Sequence, residues 1–127
     1  MRLLDKRLIF VTGKGGTGKT TVATAVGMVA ARRGKRAVVI EVSAQDRIPQ
    51  IYGQRADVYE ETELEENLFS LSVDSEHAME EYLVDQLKLK PLADLLTRSK
   101  TFMYLAAAAP GLPELLVAGK IWELAQT

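Results

Sequence analysis

The stretch that decides the fold is GKGGTGKT at residues 13–20. It matches the pattern GxxxxGK[ST], in which a glycine-rich turn is followed by a lysine and a hydroxyl residue. Glycines allow backbone angles and close approaches that a side chain would block, so successive N–H groups can point into one concave anion site. A helix that begins at the end of this turn adds its positive end beneath the anion. The stretch therefore predicts a loop that binds the phosphates of a nucleotide.

The sequence on either side of the loop supplies the strand and the helix that such a loop requires. Residues 7–12, RLIFVT, are apolar and β-branched and predict a buried strand. Residues 20–33 are small or helix-forming and predict a helix, which Gly34 ends. A second buried strand is predicted over 37–42, AVVIEV. Strand, helix and strand in this order predict one βαβ unit with parallel strands and a right-handed crossover.

Further along the chain, the pattern predicts another strand and then helices. The acidic residues 57–66 are predicted as an exposed connection, and LFSLSV at 68–73 alternates like a strand. Helices are predicted over 75–89, within 92–109 and over 114–125. The fold class that follows is α/β: a P-loop NTPase-like parallel sheet flanked by helices, with a helical carboxyl-terminal section.

The composition is that of an ordinary globular chain without cysteine. Apolar residues make up 47% and charged residues 26% of the 127 residues, as in a typical soluble domain. No run of eighteen apolar residues occurs, so no transmembrane segment is predicted. The absence of cysteine excludes disulfides and thiolate-bound metal sites in this chain, and a cytoplasmic location is the default expectation.

The net charge of −1 conceals opposite charges in the two parts of the chain. Residues 1–55 contain eleven Lys/Arg against three Asp/Glu, and residues 56–127 contain five against fourteen. A basic first part suits a polyanionic ligand such as a nucleotide or a nucleic acid. Attraction between the two charge types within one fold explains the asymmetry equally well.

Each position of the loop has a predicted role in holding a nucleotide. Lys19 supplies positive charge to the β- and γ-phosphates, and the Thr20 hydroxyl is the predicted ligand of Mg²⁺. The predicted binding set for ATP or ADP is Gly13, Lys14, Gly15, Gly16, Thr17, Gly18, Lys19, Thr20 and Thr21. A glycine-rich turn that binds nothing is the alternative, and the predicted strand and helix around the match argue against it.

Lys14 is not required by the general pattern and makes the match more specific. The form KGGxGKT, with a lysine directly after the first glycine of the loop, is that of the deviant P-loop ATPases. Residues 1–42 resemble the start of these proteins, which include the ArsA-type, tail-anchored-protein-targeting, MinD and ParA ATPases. In that group the extra lysine contacts phosphate across a dimer interface. The resemblance therefore implies a homodimer in which Lys14 acts beside Lys19 in catalysis; a solvated loop lysine is the alternative.

Two later segments resemble the ArsA branch of that group. They are NLFSLSVDSEHAMEEYL at 67–83 and APGLPELLVAGKIWEL at 109–124. The chain is thus similar to the amino-terminal part of the anion-transporting and tail-anchored-protein-targeting ATPases, and 1–127 is interpreted as a single, partial P-loop domain. The resemblance implies an ATP-dependent switch that couples hydrolysis to a partner or protein client. Nucleic acid is not expected as a partner, because Lys120 is the one basic residue of the last predicted helix.

Two departures from the family pattern concern hydrolysis. The resemblance places a water-positioning Asp where this chain has Ser43, and Glu41 and Asp46 are the nearby carboxylates that could replace it. A general base needs hydrogen-bond reach to the water, which a sequence does not show. A later strand that ends in a magnesium-associated Asp is not found before Thr127, which predicts a truncated fold. The alternatives are therefore a nucleotide-binding module without hydrolysis, a ParA- or MinD-like ATPase, and a small-molecule kinase.

The other conspicuous residues are assigned to structure. His77 is predicted as an exposed helix residue, since no Cys and no second His accompanies it. The carboxylates of 60–66 lack the spaced ligands of a calcium loop. Eight apolar side chains of the helical section are predicted as core, with a client-binding groove as the alternative: Phe102, Met103, Tyr104, Leu105, Leu112, Leu115, Leu116 and Trp122.

Overall fold

The structure of the chain is a computed structural model. It describes residues 2–42, 47–55, 60–87 and 90–126. By their internal contacts, the described residues form two compact units, Met1–Ser72 and Val73–Thr127. Each unit has its own set of elements, and the interpretation of the chain as one partial domain stays a prediction.

In its described residues, the first unit contains a three-stranded sheet, two α-helices and a short 3-10 helix. After a 3-10 helix at Leu3–Asp5, its elements are α1 Lys19–Arg32, β1 Ala37–Glu41, α2 Arg47–Ile51, β2 Thr62–Glu65 and β3 Leu68–Ser72. The central strand β3 is parallel to β1 and antiparallel to β2. The parallel pair with its flanking helix confirms the predicted α/β class, and β2 adds an antiparallel strand that the sequence pattern does not indicate.

The predicted first strand at residues 7–12 is not a strand in the structure. Leu8 and Ile9 are half-buried, Phe10 is 68% exposed, and the segment runs without regular structure into the glycine loop. An apolar, β-branched run supplies a propensity, but a strand also needs hydrogen bonds to a neighbour. Among the described residues this segment pairs with no strand. The predicted βαβ unit is therefore wrong in its first strand, and β1 forms its parallel pair with β3 instead.

The prediction of an exposed acidic connection over 57–66 is also wrong in its second part. Residues 62–65 form β2, which pairs with β3 and changes register between Glu63 and Glu65. Leu64 is 7% exposed and belongs to the core of the unit. One buried apolar residue therefore anchors an edge strand whose neighbouring carboxylates discourage further pairing. Residues 56–59 lie outside the described part of the chain.

Helix α1 lies directly on the sheet because Gly27 faces it. A Cβ built on Gly27 would lie 2.5 Å from Val39 Cγ2 and 3.1 Å from Leu68 Cδ1. Val39 and Leu68 share one face of the β1–β3 pair, since Leu68 is in register with Ala37 and side chains alternate along a strand. Glycine thus permits an approach that any side chain would block. Among the described residues of this unit, one cluster of buried residues consists of Ala31, Val39, Ile48, Leu64 and Leu68.

The short helix α2 completes this core. Ile48 is 1% exposed, and Tyr52 in the following turn packs against the same cluster. Burial raises the pKa of the Tyr52 phenol, and the charge of Glu65 adds to the rise. Tyr52 is therefore a neutral phenol at ordinary pH, and it packs against the core cluster.

The regular elements among the described residues of the second unit are all helices. Its elements are α3 Ser75–Leu87, α4 Lys90–Arg98, α5 Lys100–Ala108 and α6 Leu112–Gln126, and they confirm the helices that the sequence predicts. Pro91 lies in the first turn of α4, where a proline fits because the N–H that it lacks would have no partner within the helix.

Helices α3 and α6 pack against each other, and an ion pair joins them. The Lys120 ammonium lies 2.6 Å from the Glu81 carboxylate, and the Lys120 side chain is 15% exposed. Among the residues of this unit whose burial the structure describes, the buried apolar ones are Val73, Ala78, Met79 and Ile121. Ala78 and Met79 belong to α3 and Ile121 to α6, the two helices that pack against each other.

Several apolar side chains that the sequence predicts as core are exposed. Tyr104, Leu105, Leu115 and Trp122 are 64–77% exposed, so the core prediction is wrong for these four. The other four predicted core residues, Phe102, Met103, Leu112 and Leu116, are half-buried. The helices α5 and α6 carry apolar residues on several sides, and their neighbours cover one side of each. The result is an apolar surface on α5 and α6.

No single helix in the described ranges is long and apolar enough to cross a membrane. Helices α5 and α6 meet that test of length and composition as a pair, but they are bent against each other by 87°.

Candidate phosphate-binding site

The glycine-rich loop leads directly into the first turn of α1. Residues 13–18 are exposed, and Lys19 and Thr20 are half-buried. Gly16 and Gly18 have φ angles of 75° and 92°, a left-handed conformation that favours glycine. Gly18 is the N-cap of α1, and no side chain caps the helix there. The unpaired N–H groups of the first helical turn are therefore left for an external acceptor.

The side chain of Lys19 folds back over the loop. Its ammonium donates to the backbone carbonyl of Gly13 at 2.9 Å and to that of Lys14 at 3.0 Å. The Lys14 carbonyl also accepts from the Thr17 hydroxyl at 2.6 Å. These bonds close the loop on itself and hold the positive charge of Lys19 beside the loop backbone.

The glycines of the loop serve different purposes. A Cβ on Gly13 would lie 3.1 Å from Thr17 Oγ1, so Gly13 makes room for the internal hydrogen bonding of the loop. A Cβ on Gly15, Gly16 or Gly18 would meet nothing within 4 Å. Gly16 and Gly18 are required by their backbone angles, and Gly15 leaves open space where a ligand can approach the backbone.

The structure brings the nine predicted binding residues together, because they are contiguous in the loop and the first turn of α1. Sequence reasoning missed Thr24, which is buried and donates its hydroxyl to the Thr20 carbonyl at 2.7 Å. This bond ties down the helical turn that carries Thr20 and Thr21. A threonine four residues after a loop threonine within a helix is the signal that could have identified it.

Thr20 is the second residue of α1 and the one metal ligand that the sequence predicts. In the part of the chain that the structure describes, no group of three or more acidic or histidine side chains could hold a metal ion. This donor set fits magnesium that arrives with phosphates, since Mg²⁺ commonly takes few protein oxygens and completes its shell with phosphate and water. It does not fit a metal site made by the protein alone.

Of the two candidate carboxylates, the structure describes Glu41. Its Oε2 accepts the backbone N–H of Arg47 at 2.9 Å. Arg47 begins α2, so the carboxylate stabilises the start of this helix from the end of β1. Asp46 and Ser43 lie outside the described residues. The structure thus gives Glu41 a structural role.

Basic residues beyond the end of α1 have partners within the first unit. Arg36 forms an ion pair with Glu61 and lies 4.5 Å over the centroid of the Phe69 ring. Lys35 lies 4.0 Å from the Asp5 carboxylate. The Arg36–Glu61 pair joins the basic and the acidic part of the sequence, and it supports attraction between opposite charges within one fold as one cause of the charge asymmetry. Both ion pairs form at the opposite end of α1 from Lys14 and Lys19.

His77 belongs to the start of α3. Its Nδ1 lies 2.7 Å from Asp74 Oδ2, and its backbone N–H donates to Asp74 Oδ1 at 2.7 Å. Asp74 therefore caps the helix. His77 lies in a helix as predicted, but it is half-buried and not exposed.

The α/β unit and the glycine loop at the start of α1 define a nucleotide-binding protein of the P-loop class. The family described as anion-transporting ATPases matches residues 6–126. The chain therefore belongs to the ArsA-type anion-transporting ATPase family, which confirms the resemblance drawn from the loop and from the two later segments.

Individual relatives agree with this assignment. ATPase BagA of Mycobacterium tuberculosis is 33% identical over 127 residues, which cover 96% of this chain and 37% of that protein. A protein of Aquifex aeolicus, provisionally named arsenical pump-driving ATPase 2, is 27% identical over 108 residues, or 85% of this chain and 34% of that protein. The chain thus spans little more than a third of the length of these curated relatives.

Proposed function

We propose that the chain binds ATP and ADP through residues 13–21 and forms the nucleotide-binding part of an ATPase switch. The observation that carries the proposal is the closed glycine loop at the start of α1, in which Lys19 donates to the Gly13 and Lys14 carbonyls. An incoming phosphate offers the Lys19 ammonium charged acceptors that are stronger than these carbonyls. Lys19 then neutralises the β- and γ-phosphates, while loop and helix N–H groups bind their oxygens.

Magnesium enters this proposal together with the nucleotide. The Thr20 hydroxyl supplies one ligand from the protein, and phosphate oxygens and water supply the others. The ion offsets the negative charge of the phosphates. Because the protein contributes a single neutral oxygen, magnesium without nucleotide is expected to bind weakly.

Lys14 is proposed to contact phosphate across a homodimer. Its side chain is exposed, so a second copy of the chain can approach it. ATP would close the dimer and hydrolysis would open it, which passes the nucleotide state on to a partner or protein client. A cytoplasmic location belongs to the same proposal and rests on the absence of cysteine.

A nucleotide-binding module without hydrolysis is the second candidate, and the contact of Glu41 favours it. The Glu41 carboxylate accepts the Arg47 N–H and is thereby engaged at the start of α2. This candidate predicts that ATP and ADP bind and that no phosphate is released above background. Steady phosphate release that Lys14→Ala abolishes would exclude it and would support the switch.

Calorimetric titration with ADP and ATP in the presence of magnesium tests the binding site. Lys19→Ala is expected to weaken both nucleotides by roughly tenfold or more, since a hydrogen bond to a charged group contributes about 1.5–3 kcal/mol. Lys35→Ala is the matched control. It removes the same charge beyond the other end of α1, where the Lys35 side chain is 47% exposed, and it should leave both affinities unchanged.

Two outcomes of this titration would contradict the proposal. Unchanged affinity in Lys19→Ala would show that the loop does not hold the phosphates. An equal loss of nucleotide affinity in Lys19→Ala and Lys35→Ala would show that the nucleotide is held only by general attraction between a basic surface and an anion.

A further inference from the structure

The backbone carbonyl of Lys14 is the point at which two side chains of the loop converge. It accepts from the Thr17 hydroxyl at 2.6 Å and from the Lys19 ammonium at 3.0 Å. A carbonyl oxygen has two lone pairs, so these two donors match its full capacity. The direction of this carbonyl is therefore set by side chains and not by a helix or a strand.

An arriving nucleotide affects the two donors differently. The Lys19 ammonium is charged, and phosphate oxygens compete with backbone carbonyls for its N–H groups. The Thr17 hydroxyl is neutral and bonds three residues back within the same loop. When Lys19 turns towards phosphate, Thr17 is the donor that remains on the Lys14 carbonyl.

The direction of this carbonyl matters for anion binding. A carbonyl oxygen that turned towards the ligand would repel phosphate oxygens. The peptide plane also fixes the N–H of Gly15, which points opposite to the Lys14 carbonyl. Because the loop is exposed and Gly15 and Gly16 give it wide conformational freedom, the peptide can rotate once its donors are gone.

We propose that Thr17 is a positioning residue of the nucleotide site, an inference that rests on the proposed function. Its hydroxyl holds the Lys14–Gly15 peptide with the carbonyl away from the phosphates while Lys19 is engaged with them. The Thr17 hydroxyl acts through the backbone of Lys14 and does not itself contact the nucleotide.

Two substitutions separate the hydroxyl from the rest of the Thr17 side chain. Thr17→Val keeps the branched shape and removes the donor, whereas Thr17→Ser keeps the donor and removes the methyl group. Calorimetry on the full chain with magnesium should show that Thr17→Val weakens ADP and ATP by the same factor, about fivefold, the size of one neutral hydrogen bond. Thr17→Ser should stay within about twofold of the unsubstituted chain, since its hydroxyl can form the same bond.

Circular dichroism provides the folding control for these variants. Thr17 is exposed, so its replacement should leave the helical signal and the unfolding midpoint of the chain unchanged. The positioning role is supported if Thr17→Val loses affinity, Thr17→Ser keeps it, and neither variant changes the helical signal or the unfolding midpoint. A general effect on stability would change those two signals.

The remaining outcomes would overturn the role of Thr17. They are unchanged affinity in Thr17→Val, an equal loss in Thr17→Ser, or a loss for ATP alone, which would place the hydroxyl on the terminal phosphate. Titrating Lys19→Ala in parallel shows whether the role of Thr17 or the proposed function has failed. If Lys19→Ala abolishes nucleotide binding and Thr17→Val does not alter it, only the role of Thr17 is contradicted. If the unsubstituted, folded chain binds neither nucleotide, both proposals are contradicted.

Discussion

Two glycines lie within helices, one in each unit of the molecule, and their surroundings differ. A Cβ on Gly27 in α1 would lie 2.5 Å from Val39 Cγ2, whereas a Cβ on Gly119 in α6 would meet nothing within 4 Å. In the first unit, the missing side chain allows a helix to lie directly on a sheet. In the second unit, the missing side chain leaves the helix backbone more freedom to unfold, with no packing gained in return.

The apolar side chains of the two units show the same difference. Ile48 and Leu68 are fully buried in the first unit, while Tyr104 and Trp122 of the second unit are largely exposed. A sheet offers a broad apolar face that covers the helix above it, but each helix of a small helical unit is covered along one side. Apolar composition therefore indicates a core only where a neighbouring surface is present to complete it.

The largest expected effect comes from emptying the core of the first unit. Ile48→Ala should lower the free energy of unfolding by about 2–5 kcal/mol, because Ile48 is 1% exposed and the substitution leaves a cavity. Urea denaturation followed by circular dichroism measures the change. Ile51→Ala in the same helix is the control, since Ile51 is 65% exposed, and it should change stability by less than about 0.5 kcal/mol. Similar losses of stability in Ile48→Ala and Ile51→Ala would show that the two side chains are not buried to such different extents.

A smaller effect is expected from closing the gap at Gly27. Gly27→Ala should destabilise the chain by about 1–3 kcal/mol, because the new methyl group would overlap Val39, whose branched side chain has little rotamer freedom. The same denaturation experiment measures it. A stabilised Gly27→Ala variant would show that α1 does not depend on this close approach.

The matching substitution in the second unit should have the opposite sign. Gly119→Ala is expected to raise the free energy of unfolding by about 0.5–1 kcal/mol, because alanine favours the helix and its methyl group has room. Measuring both variants side by side sharpens the comparison. Destabilisation by Gly119→Ala would mean that a neighbouring surface packs closely against Gly119 in the folded protein, as the sheet does against Gly27.

The smallest effect is expected on the apolar surface of α6. Leu115→Gln should change stability by less than about 0.5 kcal/mol, since Leu115 is 68% exposed. The reference is Ile121→Ala in the same helix, where 5% exposure predicts a loss of about 2–5 kcal/mol. A large loss in Leu115→Gln would show that this surface is covered in the folded protein.

The sequence predicts those elements whose side-chain pattern matches the structure that they adopt. AVVIE at 37–41 and LFSLS at 68–72 pair with each other and become strands, and the helices of the second unit follow their patterns. RLIFVT at 7–12 has a similar pattern but remains irregular, because pairing depends on a neighbouring strand and not on the run itself. The pattern does not reveal β2 for the opposite reason: two of its four residues are acidic, but pairing with β3 holds the segment in the sheet.

The candidate site is predictable where its residues are consecutive. Eight neighbouring residues fix the loop and the helix start, so the sequence alone locates them. The bonds of Thr17 to Lys14 and of Thr24 to Thr20 depend on the turn that the backbone makes between them, which a pattern does not specify. Glu41 shows the same limit, because its partner at the start of α2 becomes apparent only in three dimensions.

The exposed backbone of the loop should also make it accessible to a protease. Trypsin cuts after lysine, and Lys14 is exposed in a segment that is neither helix nor strand, the kind of segment that proteases prefer. A ligand seated over this backbone would keep the enzyme away. The rate at which the chain is cut after Lys14 would then report occupancy of the loop on an ordinary gel, without a label and without any assumption about turnover.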